Sequence, residues 1–302
     1  MPNHSLKANL AALAAGVLLP STDALPAGGA AADLDLDFDV PSGYVAQRES
    51  GAVVLLPTHP ERTPCAYGIS PPRPSKGALD ADAQAALVEV VVPGWQKNSD
   101  FSNALRGNAA AGWPYFRVQA DFRRITSGTH EVVSAMAMVF PAGQNRVHVV
   151  WGAGNPARCT LDDTSLARLF HSLRPHGWSS DGGAALLRDL QGTWRNSERY
   201  GVSQYTFGPG GRFERGLATA TRLGLDEKTS AAVEAGRYEL RAGALVLTPD
   251  RRDRGPSSYR VRVYDEFTYV RGRWTRAMSL LADSSGSSSD EVRYDRVDAP
   301  PR

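Results

Sequence analysis

An α+β domain with an antiparallel sheet and packed helices, followed by a small all-β antiparallel barrel, is the fold class this chain predicts, and three observations predict it. Trp113–Arg124, Glu131–Phe140 and Arg146–Gly152 alternate apolar and polar residues, and Ile125–Thr129 and Ala142–Asn145 supply turn chemistry between them, which makes an antiparallel meander. Ser179–Gly183 is small or polar throughout, the composition of a linker. Beyond it the chain breaks into short apolar segments separated by glycine turns, the pattern of a sandwich or barrel. The organisation expected is a signal peptide at 1–24, a flexible leader at 25–32, an α/β domain at 33–178, a linker at 179–185, a barrel at 186–298 and a tail at 299–302.

The first element is read from its flanks. Met1–Lys7 carries one basic side chain and precedes the largely apolar Ala8–Leu19, which Pro20 ends. That is the build of a secretory signal, and the run is too short to span a bilayer. Thr22 and Ala24 are small enough for the signal-peptidase positions, and a disordered Ala/Gly-rich leader is the alternative. Export to the periplasm or beyond gives meaning to the cysteine count: the chain has two, Cys65 and Cys159. An even number in an oxidising compartment argues that they pair, closing a loop that would restrict the unfolded chain by about 4–5 kcal/mol; two separate buried thiols are the other reading.

In the α/β domain Asp33–Val40 places Leu34, Leu36, Phe38 and Val40 on one face of an extended segment. Its four aspartates resemble a calcium loop only superficially, because side chains alternating along a strand do not converge. Turns at Pro41–Gly43 and Glu49–Gly51 lead to strands at Tyr44–Arg48 and Ala52–Pro57, and a short strand surrounds Cys65–Ile69. A helix starts at Leu79–Asp82, runs through Ala83–Val92 and stops at Pro93-Gly94; a second, Ser165–Leu173, is capped by Asp162–Thr164. The opening Phe38-Asp39-Val40-Pro41-Ser42-Gly43-Tyr44, the meander, and the close from Cys159 through Phe170-His171-Ser172-Leu173-Arg174 resemble the bacterial relatives of the PsbP-like fold, over about residues 33–178. The resemblance implies an antiparallel sheet with helices packed on it, in a secreted or periplasmic accessory protein that binds macromolecules and carries no catalytic residue.

The barrel strands expected are 192–196, 203–207, 212–219, 234–240, 244–248, 258–263, 267–270, 274–280 and 291–297. Gly208–Gly211 joins two of them, and with no helix after it the glycines make a hairpin and not a phosphate cradle. Leu190-Gln191-Gly192-Thr193-Trp194-Arg195 resembles the Gly-x-Trp opening of lipocalin-like barrels, a likeness carried further by Tyr205-x-Phe207, Gly211-Arg212-Phe213 and Gly236–Leu240 with Leu245–Leu247. It implies that Trp194 closes one end with a cation over its ring, supplied by Arg293 or Arg296. Tyr205, Phe207, Phe213, Tyr238, Tyr259, Tyr269 and Trp274 are the candidate ligand-binding aromatics. A barrel this small is either filled by such side chains, the default, or holds one small ligand.

Charge excludes some partners. With 34 basic and 32 acidic side chains the formal net charge is +2, and no basic stripe for nucleic acid appears. The six histidines, His4, His59, His130, His148, His171 and His176, show no metal-ligand spacing, no cofactor motif is present, and Gly-x-Ser-x-Gly is absent. Asp265-Glu266 reads as a turn pair. The leading function is therefore a non-catalytic secreted or periplasmic binding or accessory protein. Its first domain would contact a protein, and its barrel would hold a small apolar ligand or offer a second contact surface. An inhibitor or immunity-type protein that blocks an exported hydrolase, and a hydrolase or isomerase with carboxylates at the barrel mouth, are the alternatives.

Overall fold

The computed structural model describes residues 29–31, 34–49, 51–60, 65–109, 112–126, 129–159, 161, 164–176, 178, 183–198, 201–218, 234–268, 272–282 and 291–297. The expected signal peptide lies outside these residues. The chain divides into two units, Met1–Arg106 with Pro114–Trp178, and Gly107–Trp113 with Ser179–Arg302.

In the first unit the strands are β1 (Gly29–Ala31), β2 (Leu36–Phe38), β3 (Tyr44–Glu49), β4 (Ala52–Pro57), β5 (Cys65–Pro74), β6 (Gln96–Lys97), β7 (Ser102–Asn108, shared with the second unit), β8 (Pro114–Thr126), β9 (Thr129–Pro141), β10 (Arg146–Gly154) and β11 (Arg174–Pro175). The main sheet has the order β7-β8-β9-β10-β5-β4-β3, with β6 on β8. The expected meander is β8-β9-β10, antiparallel throughout. Val133–Phe140 of β9 is buried at every residue, Ser134 included, so the alternation expected of a half-buried strand gives way to burial on both faces. The covering elements are α1 (Leu79–Ala86), continued by a π-helical turn at Leu87–Val91, and α2 (Thr164–Ser172). The first packs across β8 and β9, and Phe170 of α2 meets Tyr115 of β8 edge-on at 4.9 Å. No side chain caps α1 at Ala78; instead Asp82, buried in the first turn, accepts from the Ser75 hydroxyl at 2.6 Å and the Lys76 amide at 2.5 Å.

Cys65 and Cys159 form a disulfide, with Cα atoms 5.1 Å apart. Two expectations are corrected. Asp33–Val40 is not one strand: Asp35 sits at φ +51°, and only Leu36–Phe38 pairs, between β1 and β11. Leu34, Leu36 and Phe38 are buried, while Asp39 and Asp37 meet Arg174 at 2.8 Å and His176 at 3.1 Å. Strand β7 was not foreseen, because Ser102–Asn108 holds only two apolar residues and no alternation that marks a buried face.

The second unit contains α3 (Ala184–Leu190) and eight strands: β12 (Gly192–Glu198), β13 (Gly201–Gly208), β14 (Arg212–Ala218), β15 (Glu234–Arg241), β16 (Ala244–Pro249), β17 (Ser257–Thr268), β18 (Arg273–Ala282) and β19 (Val292–Arg296). Each pairs antiparallel with the next, and β19 returns to β12 through Trp194↔Arg296, which closes an up-and-down barrel. The expected strands 258–263 and 267–270 are one strand. Asp265 and Glu266, read as a turn, lie inside it opposite Arg276 and Thr275, because cross-strand partners replace the water that two adjacent carboxylates would otherwise seek.

Candidate functional site

Period-two alternation decides which barrel side chains point inward. Trp194, Tyr205, Phe207, Phe213, Tyr238, Leu245, Leu247, Val261, Val263, Met278, Leu280 and Tyr294, from all eight strands, join Leu186 and Leu190 of α3 in one buried cluster. Phe207 meets Tyr238 edge-on at 5.0 Å and stacks on Tyr205 at 5.7 Å. The Tyr238 hydroxyl donates to the Gly208 carbonyl at 2.9 Å, and Phe207, Phe213 and Tyr238 are buried in this cluster.

The strand ends next to Gly192, Gly208 and Ala244 form the closed end. There α3 inserts Leu186 and Leu190, the Trp194 indole N–H donates to the Leu190 carbonyl at 2.7 Å, and the Arg296 guanidinium lies 5.4 Å from the Trp194 ring centre. Arg293 faces outward, paired with Glu266 at 2.5 Å and Asp295 at 3.0 Å. Arg276 completes this end, bridging Asp189 of α3 at 2.7 Å and Asp265 at 3.1 Å. Trp274 is half-buried against Phe267. Tyr269 lies outside the described residues.

The opposite end, called the open end because no helix among the described residues stops it, carries a different set. Tyr205 lies near Tyr259 and meets Tyr294 edge-on at 5.4 Å, and the Ser203 and Tyr294 hydroxyls are 3.4 Å apart. The Arg215 guanidinium lies over the Tyr205 ring at 5.5 Å and stands 3.9 Å from Glu234, whose carboxylate also pairs with Arg254 at 3.4 Å. Burial pushes the Tyr205 phenol well above its ordinary value and outweighs the pull of Arg215, so the group is a neutral hydrogen-bonding hydroxyl at any physiological pH and not a base. Of the six described aromatics among those singled out in the sequence, Tyr205 and Tyr259 belong to this end. Ser203, Arg215, Glu234 and Tyr294 were missed, although Arg215 and Tyr294 share the inward parity of Phe213 and Val292.

The carboxylates named at both ends are each within 4 Å of an arginine. Among the described residues no group of three or more His, Cys, Asp or Glu side chains is placed to hold a metal ion. His148 is buried and stacked on Phe140 at 4.9 Å; desolvation lowers its pKa to about 4, against a smaller opposing pull from Asp35. His171 meets Phe170 edge-on, His59, His130 and His176 are exposed, and His4 lies outside the described residues. No helix is long and apolar enough to cross a membrane among the described residues. No protein-family model matches this chain, and no curated protein matches it.

Proposed function

We propose that this chain is a non-catalytic, extracytoplasmic binding protein whose barrel takes a small ligand or a partner's side chain at its open end, and whose first unit serves as the accessory, protein-contacting part. The observation that carries the reading is the asymmetry of the barrel. One end is stopped by α3, Trp194 and the doubly paired Arg276, the middle is filled by aromatic and aliphatic side chains, and the other end gathers hydroxyls and a guanidinium that no interior packing requires. The Cys65–Cys159 bond supports an oxidising compartment, periplasmic or secreted. The likeness of the barrel to lipocalin-like proteins and of the first unit to the PsbP-like fold belongs to the same proposal.

The test is native mass spectrometry of the full chain recovered from the periplasm or medium of a secreting host. A bound molecule that is lost in Tyr259→Ala, with the barrel still folded, is the expected result. A chain that carries nothing, or that keeps its cargo in Tyr259→Ala, would overturn the assignment of the open end.

A further inference from the structure

We propose that the open end of the barrel is a carboxylate seat, with Arg215 as the residue that binds the anion and the hydroxyls of Tyr259, Tyr294 and Ser203 around it; this rests on the reading of that end as a binding site. The arginine itself is the reason. Its Nε is buried without a hydrogen-bond partner, and the group it approaches, Glu234, stands at 3.9 Å, beyond hydrogen-bond reach. A guanidinium presents five N–H donors in a planar fork, and leaving a buried one unmatched costs more than a typical hydrogen bond returns. Glu234 does not neutralise the site alone, because it is shared with Arg254.

The other interior arginines show why this one is singled out. Arg276 at the closed end also has a buried Nε without a partner, but its two terminal nitrogens are held by Asp189 and Asp265 within hydrogen-bond distance, so its charge is already answered. Arg296 also has a buried Nε without a partner, but its guanidinium is engaged on the face of Trp194, the residue whose indole is tied to α3. Arg215 lies on the face of Tyr205 at the end away from α3, with its Nε buried and its side chain 32% exposed. A planar carboxylate is the anion that matches a guanidinium edge in a bidentate manner, and an aromatic or short aliphatic acid would rest its apolar part on the Tyr205, Tyr259 and Tyr294 rings, since the filled core leaves a shallow seat.

Titration of the full chain with benzoate, indole-3-acetate and decanoate, each against its neutral amide, followed by the Arg Nε–Hε signals in 15N NMR, tests this. At least one acid is expected to shift the Arg215 signal saturably, its amide is expected to bind at least about tenfold more weakly, and Arg215→Gln is expected to lose the acid by a similar factor while Arg215→Lys keeps part of it. Folding of both variants is checked by their thermal transitions. Equal binding of acid and amide, undiminished binding in Arg215→Gln, or no response to any of the three acids would overturn the carboxylate seat. A neutral molecule bound at Tyr259 in the mass-spectrometric test would leave the binding function standing while this inference falls; an empty open end in both would remove both.

Discussion

Acid weakens the first unit through one buried imidazole. His148 lies in β10 with 1% exposure, its ring stacked on Phe140 and its Nδ1 without a hydrogen-bond partner, so protonation would place a charge where neither water nor an acceptor meets it. Desolvation lowers its pKa from 6.5 to about 4; Asp35 opposes the shift, while Arg146 and His176 add to it. The folded value lies below the unfolded one, so the unfolded chain binds the extra proton. The contribution is fully present above about pH 6.5 and is lost as the pH falls toward about 4. The gap between the two values corresponds to about 3 kcal/mol in all, of which about 2 kcal/mol is gone by about pH 5. Urea unfolding at about pH 7.5 and about pH 5, compared between the natural chain and His148→Leu, isolates this term from the carboxylates, because Leu keeps the apolar volume and removes only the titration. The natural chain is expected to lose about 2 kcal/mol more than the variant over that interval. A His148 ring signal that titrates near 6.5 in the folded protein, or identical losses in the two chains, would refute the reasoning.

Other perturbations test the packing directly. Trp194→Ala removes the floor of the barrel and leaves Arg296 without its ring, and is expected to cost about 3–5 kcal/mol in thermal unfolding, whereas Arg296→Ala should cost about 0.5–2 kcal/mol. Gly236→Ala would place a Cβ 2.2 Å from the Thr248 carbonyl and 2.6 Å from the Phe213 ring, so β15 and β16 must separate; a loss of about 1–3 kcal/mol is expected, against no change for Gly216→Ala, where the space is open. Unfolding the protein without reductant should expose no alkylatable thiol, and Cys65→Ser with Cys159→Ser should lower stability by about 2–5 kcal/mol.

How far the fold was legible depended on whether the signal was local. The strands of the barrel announce themselves because Phe213, Tyr238, Leu245 and Leu247 alternate with polar residues, and the hairpin glycines mark each return. The same rule misread β17. Tyr264-Asp265-Glu266 looks like a turn because two carboxylates in succession prefer water. They stay in the strand because Arg276 and Thr275 stand opposite them and Arg293 reaches Glu266 from the next strand but one. Helix α3 was hidden for a related reason: Ala184–Leu190 spans two turns and lacks a capping side chain at Gly183. What holds it is the burial of Leu186 and Leu190 under the barrel, a tertiary contact that no local propensity reports.

The site obeys the same division. That Arg215 points into the barrel could be read from its place two residues after Phe213, and the same parity places Arg276 two residues before Met278. An inward arginine next to the buried cluster is a second signal in the same alternation, carried by charge where the aromatic rings carry volume. What parity cannot tell is which arginine is answered. Asp189 reaches Arg276 from a helix whose existence was not foreseen, and Glu234 reaches Arg215 across a hairpin and stops short. Two residues with the same local pattern thus differ in their surroundings: one is bridged by two carboxylates at the closed end, and the other stands 3.9 Å from the Glu234 carboxylate at the open one. Exchanging the two environments separates the roles. Asp189→Asn strips one partner from Arg276 and should lower stability without touching ligand binding, while Glu234→Gln removes the charge that competes with an incoming anion. Benzoate should then bind more tightly to Glu234→Gln than to the natural chain, and weaker binding there would show that Glu234, and not Arg215, is the group that meets the ligand.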